Sequence, residues 1–257
     1  MTLAPGKLAA WLSDHTHING LGHTYHYHPR SDAHSVALCT FLWEDFLAAC
    51  PVLKGQAESG AIIGGINVRF TWPTSRKTKT LDLAIGPPQT PLLHSGTDPI
   101  LKAQLADVFL ACEAKSVMTE HGKSQPRVFD ELSSSHEIVH QGTQAALATG
   151  ITVVNICSTF ISPLRQKTLG SIHVSEHKQP AAAGAMVDHL RGLPIREAEG
   201  QVGFDAYATV VLTCSNRPDE PVTLWTSPPA PQPGDQDHYE TFLARVSRFY
   251  SERFGEG

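Results

Sequence analysis

The chain has 257 residues, with 20 Lys or Arg, 25 Asp or Glu and 14 His, and its formal net charge is -5. This length suits one large domain whose core needs no disulfide or metal to fold. A hydrophobic fraction of 41% and a charged fraction of 18% exclude a disordered or fibrous chain. The acidic balance excludes a protein that coats nucleic acid by bulk positive charge, but it is compatible with a local basic groove.

The cysteines and the N-terminus indicate the compartment. Five cysteines, at positions 39, 50, 112, 157 and 214, include no CxxC pair and mostly lie in apolar runs. This pattern predicts buried, reduced thiols. The N-terminus lacks a cationic apolar signal, and no apolar run reaches the roughly 18 residues that cross a bilayer. We therefore expect a soluble, cytoplasmic protein with no membrane partner.

Apolar spacing predicts the elements of an α/β domain along the chain. Helices are predicted over 3–13, 35–50, 99–106, 126–150, 180–191 and 237–254, and strands over 61–72, 80–85, 107–115, 151–157 and 204–214. Pro126 is taken as the first residue of its helix, a position that proline favours. The order helix, hairpin, strand, helix, strand predicts a central mixed β-sheet flanked by helices.

The second strand of the predicted hairpin carries a single acid. Its residues alternate, with Leu81, Leu83 and Ile85 on one face and Asp82 and Ala84 on the other. An isolated acid in an otherwise apolar strand needs a partner or a ligand, because unpaired burial of charge is costly.

Two further charged residues end the apolar run 107–115. Glu113 and Lys115 are two residues apart, so they point to the same face of their strand. If Asp82 and Glu113 converge, they form a hard-oxygen site suited to Mg²⁺. A lysine beside them can hold a water or stabilise charge on a phosphate.

An Asp on one strand followed by Glu-x-Lys on a later strand resembles the PD-(D/E)xK nuclease superfamily, the fold of most type II restriction endonucleases. The resemblance covers roughly 35–160 and implies a restriction-endonuclease-like core. In that family the Asp and Glu hold Mg²⁺ and the Lys assists the attacking water. The corresponding residues here are Asp82, Glu113 and Lys115, and Leu81 departs from the proline that often precedes the Asp.

The Glu-x-Lys triplet alone is a weak signal, because one arises by chance about once in a chain of this size. A second copy, Glu176-His177-Lys178, is present. It has no strand around it and no acid-bearing strand just before it, so the context favours Glu113 and Lys115. The alternative is that Glu113 and Lys115 form a strand-edge ion pair and that Asp82 is a hairpin-edge acid.

The resemblance also directs attention to an accessory carboxylate before the hairpin. Glu44 and Glu58 are the candidates, and Glu58 is preferred as a third metal ligand because it lies immediately before the hairpin strand. Basic and polar residues near the turn and near the following helix are candidates for DNA contacts. These are Arg76, Lys77, Lys79, Lys123, Arg127 and His136. Each basic group has the alternative of a solvated face.

The histidine-rich N-terminal segment offers a competing metal site. It contains His15, His17, His23, His26, His28 and His34. Histidine is the commonest ligand of transition metals, and three suffice for a catalytic zinc. The segment matches no metal motif, however, and the alternation of His26 and His28 with Tyr25 and Tyr27 is equally typical of a surface strand.

The sequence therefore predicts a Mg²⁺-dependent DNA endonuclease of restriction type that cleaves double-stranded DNA as a homodimer. One domain is expected, with the nuclease core over 35–160 and with 162–257 as an elaboration for recognition or dimerisation. Two alternatives stay open. One is a non-catalytic DNA- or protein-binding module with a nuclease-like fold, and the other is a zinc hydrolase that uses the N-terminal histidines.

Overall fold

A computed structural model describes residues 2–91, 95–165, 168 and 172–255. The helices are α1 (Ala4–Asp14), α2 (Ala33–Ala49), α3 (Pro51–Glu58), α4 (His121–Gly142), α5 (Ala181–Leu190) and α6 (Tyr239–Phe254). The strands are β1 (His17–Ile18), β2 (Thr24–Tyr25), β3 (Ile63–Thr71), β4 (Thr78–Gly86), β5 (Ile100–Leu101), β6 (Leu110–Val117), β7 (Leu147–Asn155), β8 (Thr159–Ile161), β9 (Val174–Glu176), β10 (Ala206–Thr213) and β11 (Thr223–Leu224).

The centre of the molecule is a seven-stranded sheet in the order β11-β10-β7-β6-β4-β3-β5. β3, β4 and β6 are successively antiparallel, whereas β6, β7 and β10 run parallel. Helix α4 makes the crossover between β6 and β7, as a parallel connection requires. The predicted α/β class with a central mixed sheet is therefore confirmed.

Helices cover the sheet on both sides, and two separate apolar clusters result. One cluster joins α1, α2 and α6 to the sheet through residues such as Trp43, Phe46 and Phe242. The other joins α4 and α5 to the opposite side through Leu132 and Met186. All nine residues of β7 are buried, as expected for a central strand covered on both faces.

Two predicted elements differ from the structure. The segment 99–106 contains the two-residue edge strand β5 rather than a helix, and Lys102 directly after it has a positive φ of 55°. Helix α4 begins at His121, so Pro126 lies inside the helix instead of starting it, and the helix ends at Gly142 rather than at 150 because β7 already begins at Leu147. The cost is limited, because Pro126 sits in the second turn and removes only one internal hydrogen bond.

The segment 162–257 contributes to the same sheet as the predicted core. Seven residues of β10 pair in parallel with β7, from Ala206 opposite Thr149 to Leu212 opposite Asn155. Helix α6 packs against β10, β7 and α2. The expected role of this segment in recognition or dimerisation stays a prediction.

The state of the cysteines and the length of the helices can be compared with the sequence predictions. All five cysteines are free thiols, and all except Cys157 are buried. Among the described residues, no single helix combines the length and the apolar character needed to cross a bilayer.

Candidate active site

The candidate site lies where strands β4 and β6 separate. The pairing of these strands ends at Leu83 opposite Cys112. One residue further, Asp82 Oδ2 accepts a hydrogen bond of 2.8 Å from the backbone N–H of Ala114. The carboxylate thus occupies the place where a backbone carbonyl of a continuing strand would lie, and it sits beside Glu113 and Lys115.

A kink in the hairpin places Asp82 in this gap. Asn67, on the neighbouring strand β3, has a left-handed φ of 54°. Leu83 and Ile85, which follow Asp82 on β4, pack in the apolar cluster on the α2 side of the sheet. Leu81, which precedes Asp82, packs in the cluster on the α4 side. The predicted placement of Leu81, Leu83 and Ile85 on one face is therefore wrong, because the side-chain alternation shifts at Asp82. The shift directs its carboxylate along the sheet towards β6.

Glu113 lies at the centre of a charged cluster on the α4 side of the sheet. It is 7% exposed, and Lys115 Nζ lies 2.7 Å from its Oε1 atom. Lys79 Nζ lies 3.0 Å from Oε2, and the Ser135 hydroxyl of α4 donates a 3.0 Å hydrogen bond to the same oxygen. Lys115 also lies 3.3 Å from Glu131 on α4.

The electrostatics of the three predicted residues differ. Burial and, after it, the charge of Glu113 raise the pKa of Asp82, Ala114 N–H and the nearby lysines oppose the shift, and the net pKa is about 6. Burial also favours a higher pKa for Glu113, but the charges and hydrogen bonds of Lys115 and Lys79 outweigh it and the pKa is lowered. The acidic neighbours overcome the burial of Lys115 and raise its pKa, so it keeps its proton near neutral pH.

The two carboxylates fit a hard divalent cation, with one condition. Asp82 Oδ1 has no hydrogen bond within the described residues. The pKa of Asp82 is raised because the neighbouring lysines and Ala114 N–H do not fully offset its burial and the charge of Glu113. Both oxygens of Glu113 are already held by ammonium groups or by Ser135. A cation bound by both carboxylates must therefore displace an ammonium from Glu113. No group of three or more His, Cys, Asp or Glu in the described chain is arranged to hold a metal.

The structure does not bring either accessory carboxylate into this cluster. Glu58 is exposed at the end of α3 and pairs with Lys54 at 3.7 Å. Glu44 pairs with Lys7 at 2.7 Å on the far side of α2. Neither is among the charges that shift the pKa of Asp82. A third metal ligand from these positions is thus not present in this arrangement.

The candidate DNA contacts on the hairpin have different surroundings. Arg76 and Lys77 are exposed at the turn between β3 and β4, and Lys77 donates a hydrogen bond to Gln141. Lys79 faces inward and binds Glu113, so its expected position on a basic outer loop is wrong.

The other three candidate DNA contacts, Lys123, Arg127 and His136, lie on helix α4. Lys123 and Arg127 are exposed and pair with Glu120 and Glu131. His136 is 1% exposed, and its ring packs 5.0 Å from that of Phe204. A direct contact between His136 and DNA is therefore wrong, because α4 turns this residue into the core.

The N-terminal histidines do not assemble into a metal centre. Tyr25, His26 and Tyr27 are all buried, so the predicted alternation is absent. The two ring nitrogens of His26 lie 3.3 and 3.0 Å from the carbonyl oxygens of His15 and Glu220. These contacts join the segment to the loop after β10.

Sequence reasoning missed two members of the cluster, Ser135 and Glu131. Ser133, Ser134 and Ser135 form an unusual run in a helix, since serine competes for backbone hydrogen bonds. Such a run is typical of close helix packing or of contact with a ligand, and in the structure Ser135 donates to Glu113. Glu131 carried no signal, because an exposed acid on a helix is ordinary.

We compared the chain with family models, with curated proteins and with solved structures, and none of the three comparisons found a match. The assignment of a function therefore depends on the site geometry alone.

Proposed function

We propose that this protein is a Mg²⁺-dependent DNA endonuclease of restriction type, with a restriction-endonuclease-like core, that hydrolyses phosphodiester bonds in double-stranded DNA. The observation that carries the proposal is the position of Asp82 in the gap between β4 and β6, directly beside Glu113 and Lys115. We place the enzyme in the cytoplasm, where free thiols stay reduced. A homodimer would present one site to each DNA strand.

Asp82 and Glu113 are the residues that would hold the metal. When bound, Mg²⁺ supplies a Lewis acid for the phosphate and lowers the pKa of a coordinated water. Lys115 acts as a proton-bearing donor, because its raised pKa keeps the ammonium charged; it stabilises negative charge on the phosphate. Ser135 fixes the rotamer of Glu113 through its hydrogen bond.

Lys79 has a different part in this proposal. In the described arrangement it neutralises the Oε2 side of Glu113. With a metal ion held by Glu113, Lys79 would no longer be needed to neutralise this carboxylate, and its ammonium could donate to a phosphate oxygen. Lys79 would thus compete with a metal for Glu113 and support the substrate once a metal is bound.

The experiment is cleavage of supercoiled plasmid DNA by the full chain, with Mg²⁺ or with EDTA. We expect nicked and linear products only with Mg²⁺, and a loss of about 100-fold or more in Lys115→Met, as for removal of a transition-state donor. Lys54→Met is the matched control, because Lys54 is exposed and pairs with Glu58 and not with Glu113. Equal cleavage by wild type and Lys115→Met would exclude the assigned role.

One observation favours a second candidate, a non-catalytic DNA- or protein-binding module. Both oxygens of Glu113 are occupied by protein groups, which is the arrangement of a structural ion-pair cluster. This candidate predicts DNA binding that needs no divalent metal, with no cleavage by Mg²⁺ or Mn²⁺ at any concentration that keeps the protein folded.

A further inference from the structure

A second polar groove lies beyond the C-terminal end of β6, at the start of α4. Its volume is about 780 Å³. The first turn of α4 forms one side, and Arg165 with residues 173–178 around β9 forms the other. The groove includes Glu176 and Lys178, the second Glu-x-Lys triplet, which the proposed active site leaves without a role. Glu176 is the last residue of β9, so the expectation that no strand surrounds this triplet is wrong.

The groove presents more positive than negative groups. Lys123 and Arg165 both bind Glu120, whereas exposed Lys178 makes no ion pair within the described residues. Glu176 is the other acid in the lining. Lys123, Arg165 and Lys178 against Glu120 and Glu176 leave one net positive charge in the lining, and Lys178 is the cation that makes no ion pair among the described residues.

The start of α4 adds backbone donors to these cations. The N–H groups of Lys123 and Ser124 bond back to the Glu120 carbonyl, whereas those of His121 and Gly122 have no intrahelical acceptor. Open space surrounds the position of a Cβ on Gly122, so a ligand can approach its backbone closely. Such a helix start favours an anion.

Independent support comes from buried polar atoms in the lining. Ser175 is 9% exposed, and its hydroxyl has no hydrogen-bond partner among the described residues. His121 is also buried; its Nε2 donates to the Asn155 carbonyl, and its Nδ1 has no partner in the described part of the chain. Buried polar atoms without partners are rare in folded proteins and need a ligand or water to satisfy them. Burial lowers the pKa of His121, so its ring is neutral near pH 7 and its Nδ1 is an acceptor.

A row of charged side chains joins this groove to the proposed active site. Lys123, Arg127 and Glu131 stand at i, i+4 and i+8 on one face of α4. Glu131 contacts both Arg127 and Lys115, at 3.0 and 3.3 Å. The rise along α4 from Lys123 to Glu131 is about 12 Å. A single nucleic-acid strand can therefore contact the groove and Lys115 at the same time.

We propose that this groove binds a backbone phosphate of the DNA strand that is cut, a few nucleotides from the scissile bond. Lys178, the start of α4 and the Ser175 hydroxyl hold the phosphate, and Lys123 and Arg127 lead the strand towards Lys115. The inference rests on the proposed nuclease function, but its test does not depend on cleavage.

The test measures binding of a short labelled DNA duplex to the full chain in EDTA, over a range of salt concentrations. Lys178→Ala should weaken binding about 3- to 10-fold and reduce the slope of log K against log salt by about 1. Lys54→Ala is the matched control, since Lys54 is an exposed lysine whose ion pair among the described residues is with Glu58. Wild-type affinity and slope in Lys178→Ala would overturn the proposal.

Ser175→Ala separates a binding role from a structural one. Removing an unsatisfied buried hydroxyl should leave the melting temperature unchanged or raise it, whereas DNA affinity should fall. An unchanged affinity would overturn the role of Ser175.

A third arm titrates inorganic phosphate alone at constant ionic strength. Tight phosphate binding that is lost in Lys178→Ala, with DNA binding unaffected, would assign the groove to a free phosphate compound and overturn the DNA assignment. If instead DNA binding depends on Lys178 while plasmid cleavage is absent, the groove assignment stands and the nuclease function fails.

Discussion

Asp82 is the residue whose energetics say most about the site. Its carboxylate is buried, has one backbone donor and lies next to another carboxylate, so its pKa is raised to about 6. A raised pKa means that ionised Asp82 destabilises the fold. A cation would relieve this cost, and such strained acids concentrate at functional sites.

We predict that Asp82→Asn stabilises the metal-free protein near neutral pH. The folded pKa of about 6 exceeds the unfolded value of 3.8, so the protonated form contributes stability that is present below 3.8 and is lost as pH rises through 6. Asparagine mimics that protonated form and can still accept from Ala114 N–H. The gain should be on the order of 1–3 kcal/mol at neutral pH and should vanish near pH 4. Urea unfolding in EDTA measures it, and a less stable variant at neutral pH would contradict it.

We predict that Lys79→Met binds Mg²⁺ more tightly than the wild type. The substitution removes an ammonium that lies 3.0 Å from Glu113 Oε2 and competes for that oxygen. Calorimetry should give an affinity about 3- to 30-fold higher, equivalent to about 0.6–2 kcal/mol. Lys77→Met should bind Mg²⁺ like the wild type, and weaker binding by Lys79→Met would show that Lys79 does not compete with the metal.

The sequence indicated Asp82, Glu113 and Lys115 but not the partners that fix them. Two residues apart on one strand is a reliable signal of a shared face, and it holds for Glu113 and Lys115. Lys79 was misplaced because it was assigned to the turn, whereas β4 begins at Thr78 and carries Lys79 beside Glu113. The face of Leu81 was misplaced because strict alternation was assumed through Asp82. Asn67 on the neighbouring strand β3 has a positive φ, and this conformation interrupts the side-chain alternation of the hairpin. The local sequence contains no signal that predicts a positive φ at Asn67.

At the scale of elements, the kinked hairpin sets the site. β3 and β4 must change face at Asn67 and Asp82 for one acid to enter the gap beside β6. Most helices and strands followed from apolar spacing, because each buries one face in the core. The start of α4 was predicted wrongly. Pro126 favours the first turn of a helix, so the helix was taken to begin there, whereas it begins at His121.

We predict that Asn67→Gly is tolerated and that Asn67→Val is not. Glycine adopts a φ of 54° without strain, whereas a β-branched residue there costs about 1–2 kcal/mol or more. Asn67→Val should therefore lower the melting temperature and should also slow cleavage, because it displaces Asp82. The glycine variant loses only the exposed hydrogen bond to Asp32. Equal stability of both variants would contradict the kink as the source of the geometry.

At the scale of the whole molecule, one buried network ties the C-terminal segment to the sheet. Arg196 and Asp205 are each 0% exposed and form an ion pair of 2.9 Å. Arg253 of α6 also binds Asp205 at 2.7 Å, and His140 of α4 contacts it at 3.3 Å. These partners come from three parts of the chain, so local sequence patterns could not predict the network. It fixes the end of α4 that is opposite to the groove.

We predict that Asp205→Ala destabilises the protein by about 3–5 kcal/mol, because it leaves the guanidinium of Arg196 buried without a counter-charge. Glu220→Ala is the control, since it breaks only the exposed pair with Arg217 and should cost less than about 1 kcal/mol. Chemical denaturation compares the two. A similar small cost for both would mean that the buried network does not hold the fold together.

The most direct test of the account is whether Asp82 and Glu113 form one metal site. Calorimetric titration of the full chain with Mg²⁺ should give one ion bound per chain in the wild type. Binding should be lost in Asp82→Asn and in Glu113→Gln, while both variants stay folded. Mg²⁺ binding of equal affinity in the wild type and in both variants would contradict the account, because the metal would then lie elsewhere and these carboxylates would belong to a structural ion-pair cluster.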